Sequence, residues 1–145
     1  MFGTIFNIAA SAMSANRLRI NTIASNLANS ETTRTAEGGP YKRRDVVFTA
    51  TDVPSNKFAN SLDEASLKGV KVAGVVADSS EPTMVYDPGH PDADKATGMV
   101  AMPNVNTVTE MVNMMTASAA YKAAAEVVSV TKDMAAALRR LSTGA

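Results

Sequence analysis

An α+β fold is what this sequence predicts: long N- and C-terminal helices pairing as a coiled coil, with a small β-rich middle portion between them. Three observations predict it. Apolar residues recur at steps of three and four from Phe2 to Leu27, the same spacing recurs from Val108 to Leu141, and between them the pattern changes to short β-branched runs separated by Gly, Pro and Asp. The corresponding divisions are 1–30 as an N-terminal helix, 31–105 as a β-rich portion with loops and 106–145 as a C-terminal helix. A chain of 145 residues is one domain's worth, and two long helices leave little of it for a thick core. Only 5% is aromatic and there is no Trp, which favours thin helix-to-helix packing.

The first helix carries its stripe at Phe2, Phe6, Ala9, Met13, Asn16, Ile20, Ile23 and Leu27. Asn16 alone is polar, and either fixes register against a partner helix or marks a solvated kink. The uncharged stretch before it lacks the basic start of a signal peptide. Asn16, Arg17 and Arg19 also stop the apolar run short of the ~20 residues that a membrane span requires. Neither a cleaved leader nor membrane insertion is therefore expected. Asn26, Asn29, Ser30, Thr32 and Thr33 offer side-chain hydrogen bonds that compete with the helix, which is expected to stop near Asn29.

Gly38, Gly39 and Pro40 then form a breaker, and Tyr41 to Ala50, with Val46, Val47 and Phe48, reads as a strand. Leu62 and Leu67 flank Asp63 and Glu64 in either a hairpin loop or a single helical turn. Val70, Val72, Val75 and Val76 make Gly69 to Ala77 a clearer strand, and Thr83 to Tyr86 is a second short one. A loop through Pro88, Gly89 and Pro91 leads to a short Met99 to Met102 segment and Pro103.

From Asn106 to Leu141 neither Gly nor Pro interrupts the second helix, whose stripe is Val108, Val112, Met115, Ala119, Ala123, Val127, Val130, Met134, Leu138 and Leu141. Asn106 or Thr107 can cap it, and Thr107 with Glu110 has the spacing of a capping box. Two stripes of matching length predict that the chain ends pair with each other. Flanks left uncovered by that pairing can bury themselves against further copies, and heterologous contacts of this kind build open filaments. An ordinary helical hairpin packed on the sheet is the alternative use of the same stripes.

Composition and motifs exclude several classes. With 14 basic and 14 acidic residues the chain lacks the basic excess of a nucleic-acid binder. It has no cysteine, hence no disulfide, thiolate metal site or thiol nucleophile. The single histidine, His90, stands among Asp87, Asp92 and Asp94, but Ala96 and the absence of a terminal Glu spoil a calcium-loop pattern, and Asp, Pro and Gly are turn formers in their own right. No nucleophile elbow or phosphate-cradling glycine pattern occurs. No enzyme, cofactor, metal or small-molecule substrate is expected. Lys42, Arg43 and Arg44 form a basic cluster, while the stretch from Asp78 to Asp94 is acidic without a base. In a filament these could lie on opposite edges of a subunit and set register between neighbours.

Ala24-Ser25-Asn26-Leu27-Ala28-Asn29, closing the first helix, resembles the Asn-Leu-Ala-Asn motif of bacterial flagellar rod, hook and hook-associated proteins. Glu110-Met111-Val112-Asn113-Met114-Met115, followed by Ala117, Ser118 and Tyr121, is similar to the C-terminal motif of the same axial family. Pro40-Tyr41-Lys42-Arg43, Gly69-Val70-Lys71-Val72, the run from Val85 to Pro91 and Met102-Pro103-Asn104-Val105 resemble its proximal rod members. Ala119, Ala120 and Ala124 depart from that pattern, where an Arg and an Asn are usual, and set aside any carry-over of polar contacts around Tyr121. The resemblance implies a structural subunit of the flagellar basal-body rod that spans the periplasm, exported without a cleaved signal by the flagellar type III apparatus. Its partners would be other axial rod subunits and copies of itself. The rival class is an amphipathic-helix binder of membrane or granule surfaces. Such helices usually have a Lys-rich face with Trp or Phe anchors, whereas the first helix has only Arg17 and Arg19.

Overall fold

The computed structural model describes residues 2–53 and 67–143. The turn expected at Leu62, Asp63 and Glu64 lies outside the described residues. Helix α1 spans Phe2–Ala28 and helix α2 Thr107–Thr143. Between them come strands β1 (Arg44–Asp52), β2 (Lys68–Ala77), β3 (Thr83–Tyr86) and β4 (Met99–Met102). The architecture is the α+β arrangement expected.

Local chemistry ends each helix. Asn29 donates from both its amide nitrogen (3.1 Å) and its Nδ2 (2.9 Å) to the carbonyl of Ser25, and Ser30 Oγ donates to the carbonyl of Leu27 at 2.8 Å, so side chains occupy the last carbonyls of α1. At the start of α2, Asn106 Oδ1 accepts from the Thr109 amide at 3.0 Å, which makes Asn106 the cap. The capping box expected of Thr107 and Glu110 gives way to a different arrangement, because the Glu110 carboxylate turns inward and is fully buried. Asn16 Nδ2 bonds back to the carbonyl of Ala12 at 2.9 Å, and α1 runs unbroken through it.

Strands β1 and β2 pair antiparallel with a bulge between Val47 and Phe48, and β3 pairs antiparallel with β4. The first strand starts at Arg44 and not at Tyr41, because the Tyr41 amide donates to Thr32 O at 3.0 Å and that of Arg43 to Asn104 Oδ1 at 2.8 Å. One face of the β1–β2 hairpin lies on α1. Ser11 Oγ accepts from the Val70 amide at 3.1 Å, and the Arg19 guanidinium sits 5.9 Å from the centre of the Phe48 ring. A Cβ at Gly69 would come within 3.1 Å of Ser11 Oγ, so glycine there lets the hairpin approach the helix. Of the described elements, α1 packs against both α2 and the hairpin.

The helices pair, but α2 turns a different face inward from the one its large apolar residues predict. Glu110, Ala117 and Thr131 are buried, and Met114, Tyr121, Ala124, Val128 and Ala135 are half-buried. Together these keep a strict four-three spacing, the seam of a coiled coil. The expected stripe lies across the helix: Val108, Val112, Met115, Val127, Val130, Met134 and Leu138 are 45% to 72% exposed, and Ala119 is exposed as well. Positions two apart on a helix point about 200° apart, so Met115 and Ala117 cannot both face α1. Small side chains at the contact set the shorter interaxial distances. On α1, Ala9, Ala15 and Ile23 are buried, while Phe6, Met13, Asn16, Ile20 and Leu27 are half-buried. The side chain of Phe2 lies outside those described.

Candidate assembly surface

The two motifs at the chain ends meet in space. Asn26, in the last turn of α1, donates from Nδ2 to Glu110 Oε2 at 2.8 Å and to the Arg44 carbonyl at 2.8 Å. Its Oδ1 accepts from the Tyr41 hydroxyl and from the Arg44 amide, both at 3.0 Å. All four hydrogen-bonding positions of the buried amide are thereby filled. The other carboxylate oxygen of Glu110 accepts from Arg43 Nε at 2.9 Å and from Asn113 Nδ2 at 3.3 Å. Because Asn26 ends one helix and Glu110 begins the other, this node fixes the helices as antiparallel. It also ties the entry of β1 to both of them. Burial alone would lower the pKa of the Arg43 guanidinium, but its hydrogen bond to Glu110 and the charges of Glu110 and Asp45 outweigh that and hold it above its ordinary value.

The node distributes the motif residues unequally. Asn26, Glu110 and Asn113 are brought together. Asn29 instead closes α1 and accepts from Thr32 Oγ1 at 3.2 Å. Leu27 is half-buried, Ala28 exposed, and Met111 faces outward at 58% exposure. Tyr121 lies farther along the helix pair, lining a hollow with Ala10, Met13, Ser14 and Arg17. Tyr41, Arg43 and Asn104 join the site without any sequence pattern that links them to it. All three sit inside the short stretches resembling the axial family, and Arg43 also lies in the basic cluster, but neither signal joins them to Asn26 and Glu110.

With its inner face committed to α1, α2 turns a continuous row from Val108 to Leu141 to solvent. Val, Met and Leu at either end, joined through Ala119 and Ala123, give a long apolar strip of a size that marks interaction sites. No helix among the described residues is long and apolar enough to cross a membrane. The loop around His90 is a set of local turns: His90 Nδ1 accepts from the Asp92 amide at 3.1 Å, Asp87 Oδ1 from Gly89 at 3.1 Å and Asp94 Oδ1 from Ala96 at 2.7 Å. Asp92 is held by Arg34 at 3.0 Å and Thr33 at 2.9 Å. Among the described residues no three His, Cys, Asp or Glu side chains come together as metal ligands.

A helix pair formed by the two ends of the chain, with a β-rich insert between them, defines a class of protein, and the comparisons locate it. The family model described as "Flagella basal body rod protein" matches residues 6–34, and "Flagellar basal body rod FlgEFG protein C-terminal" matches residues 96–141. The chain belongs to the flagellar basal-body rod protein family. Curated relatives named flagellar basal-body rod protein FlgC include one from Borreliella burgdorferi, 42% identical over 92% of each chain. The one from Escherichia coli O6:H1 is 44% identical over 90% of each, and the one from Bacillus subtilis 37% identical over 88% of this chain and 89% of its own.

Proposed function

We propose that this chain is a structural, non-catalytic subunit of the proximal part of the bacterial flagellar basal-body rod. In this reading it polymerises with other axial subunits and with copies of itself into a shaft that transmits torque across the periplasm. Export by the flagellar type III apparatus without a cleaved signal belongs to the same proposal. The observation that carries it is the outward stripe of α2, a row of large apolar side chains on a helix whose opposite face is already buried against α1. Family membership supports the rod as the place where that stripe is covered. On α1, Phe6, Met13 and Ile20 also keep part of their surface exposed.

The test separates assembly from folding. Met115→Asp should leave the monomer's circular dichroism and melting unchanged, since exposed substitutions usually fall within about 0.5 kcal/mol. It should still abolish the rod in electron micrographs and leave cells non-motile, because a carboxylate buried unpaired in an interface costs several kcal/mol. Ile23→Asp, 4% exposed, should unfold the helix pair, and Lys122→Asp should be silent. Rods and swimming cells with Met115→Asp would overturn the proposal.

A further inference from the structure

The charge clusters divide into spent and unspent groups. Arg43 is used inside the chain by Glu110, Asp45 and Asp78. Asp92 is used by Arg34, and Asp78 accepts from Ser80. Lys42 and Arg44 remain, exposed and without a side-chain ion pair among the described residues. On the acidic side, Glu81 and Asp87 likewise have no cationic partner there, and no Lys or Arg occurs between Asp78 and Asp94.

These leftovers are organised. Glu81 and Asp87 bracket β3, whose four residues are all exposed, Met84 at 53%, Val85 at 44% and Tyr86 at 70%. Among the described residues β3 pairs only with β4, which leaves its other edge without a strand partner there. Lys42 and Arg44 rim a cleft of about 290 Å³ lined by Pro40, Tyr41 and Ala77. Glu37 also lines it and leaves an excess of positive charge.

We propose that a second copy of this chain inserts its β3 edge, with Glu81 and Asp87, against the cleft rimmed by Lys42 and Arg44. This rests on the rod reading and names one of its lateral contacts. Complementary charge selects the partner: the exposed strand carries acids at its ends, the cleft carries bases, and among the described residues no ion pair joins Glu81 or Asp87 to Lys42 or Arg44 within one chain. The contact joins different patches, so it is heterologous and repeats from copy to copy.

The absence of cysteine makes the test direct. A chain carrying both Arg44→Cys and Asp87→Cys, assembled in cells and mildly oxidised in purified basal bodies, should give disulfide-linked dimers and higher species, while either single variant gives none. Lys42→Glu with Arg44→Glu should lower basal-body yield about 10-fold, as should Glu81→Lys with Asp87→Lys, and combining all four should restore it. An intrachain disulfide, no linkage in rods that do assemble, or reversals that are silent or not rescued by combination would each overturn the inference and leave the rod reading standing. Absence of the unmodified chain from purified basal bodies would instead remove the rod reading itself.

Discussion

Asn26 and Glu110 hold each other across 2.8 Å with both side chains fully buried, 84 residues apart in sequence. A buried carboxylate is tolerated because Arg43, Asn113 and Asn26 supply donors to both of its oxygens. Asn26 in turn satisfies the backbone of Arg44. The pair therefore determines the rotation of α2 about its own axis, and with it which stripe faces outward.

Removing either partner should cost far more than the loss of one hydrogen bond. Glu110→Ala takes one acceptor from buried Asn26 and the nearest one from Arg43, which keeps Asp45 and Asp78, and should destabilise the purified chain by about 3 kcal/mol. Asn26→Ala should cost about 3 kcal/mol, since the Arg44 backbone and the Tyr41 hydroxyl lose partners together with Glu110. Urea denaturation followed by circular dichroism measures both. A change below about 1 kcal/mol for either would mean that water replaces the lost bonds.

Ala117 is 0% exposed on the inner face of α2. Ala117→Leu forces extra methylenes into a close helix contact, and a loss of about 1 to 3 kcal/mol is expected. The same change at exposed Ala119 should be nearly neutral in the monomer. Thermal melts of the two variants side by side would check this, and equal losses would place both residues in the same environment.

Gly98 closes the turn into β4 with φ of +67°, and a Cβ there would lie 2.9 Å from Tyr86 Cε2. Its amide donates to the Asp94 carbonyl at 2.7 Å, and its carbonyl accepts from Asp87 at 3.0 Å. Gly98→Ala should cost about 1 to 3 kcal/mol, confined to the β3–β4 hairpin. Hydrogen exchange should accelerate at Thr83 to Tyr86 and Met99 to Met102 while α1 and α2 keep their protection.

The Asp78 carboxyl is held below its ordinary pKa by hydrogen bonds from the Ser80 hydroxyl and the Ser80 amide, with a smaller contribution from the charge of Arg43. A depressed folded-state pKa means that this contact contributes in full above the ordinary aspartate range and is lost as pH falls through the folded value. Ser80→Ala should move the Asp78 midpoint upward. Carbon-detected NMR titration of the carboxyl reads the shift directly, and an unchanged midpoint would assign the depression elsewhere.

Sequence alone located both helices to within a few residues, and the strands at Gly69 to Ala77 and Thr83 to Tyr86, while Met99 to Met102 stood out only as a short segment. Periodicity, β-branching and breaker residues act over one or two turns of chain, so they are visible without knowing what packs on what. The node was half legible: Asn26 and Glu110 stood out within motifs, but nothing local joins residues 26 and 110. Only the tertiary structure decided which face of α2 turns inward. Ala lies on most sides of that helix, so apolar character barely distinguishes one face from another, and reasoning by hydrophobicity selects Val108, Met115 and Leu138 for the seam. The fold instead buries Ala117 and Thr131, because small side chains let the helices approach closely, and because a Glu110 carboxylate without Asn26 and Arg43 could not be buried at all.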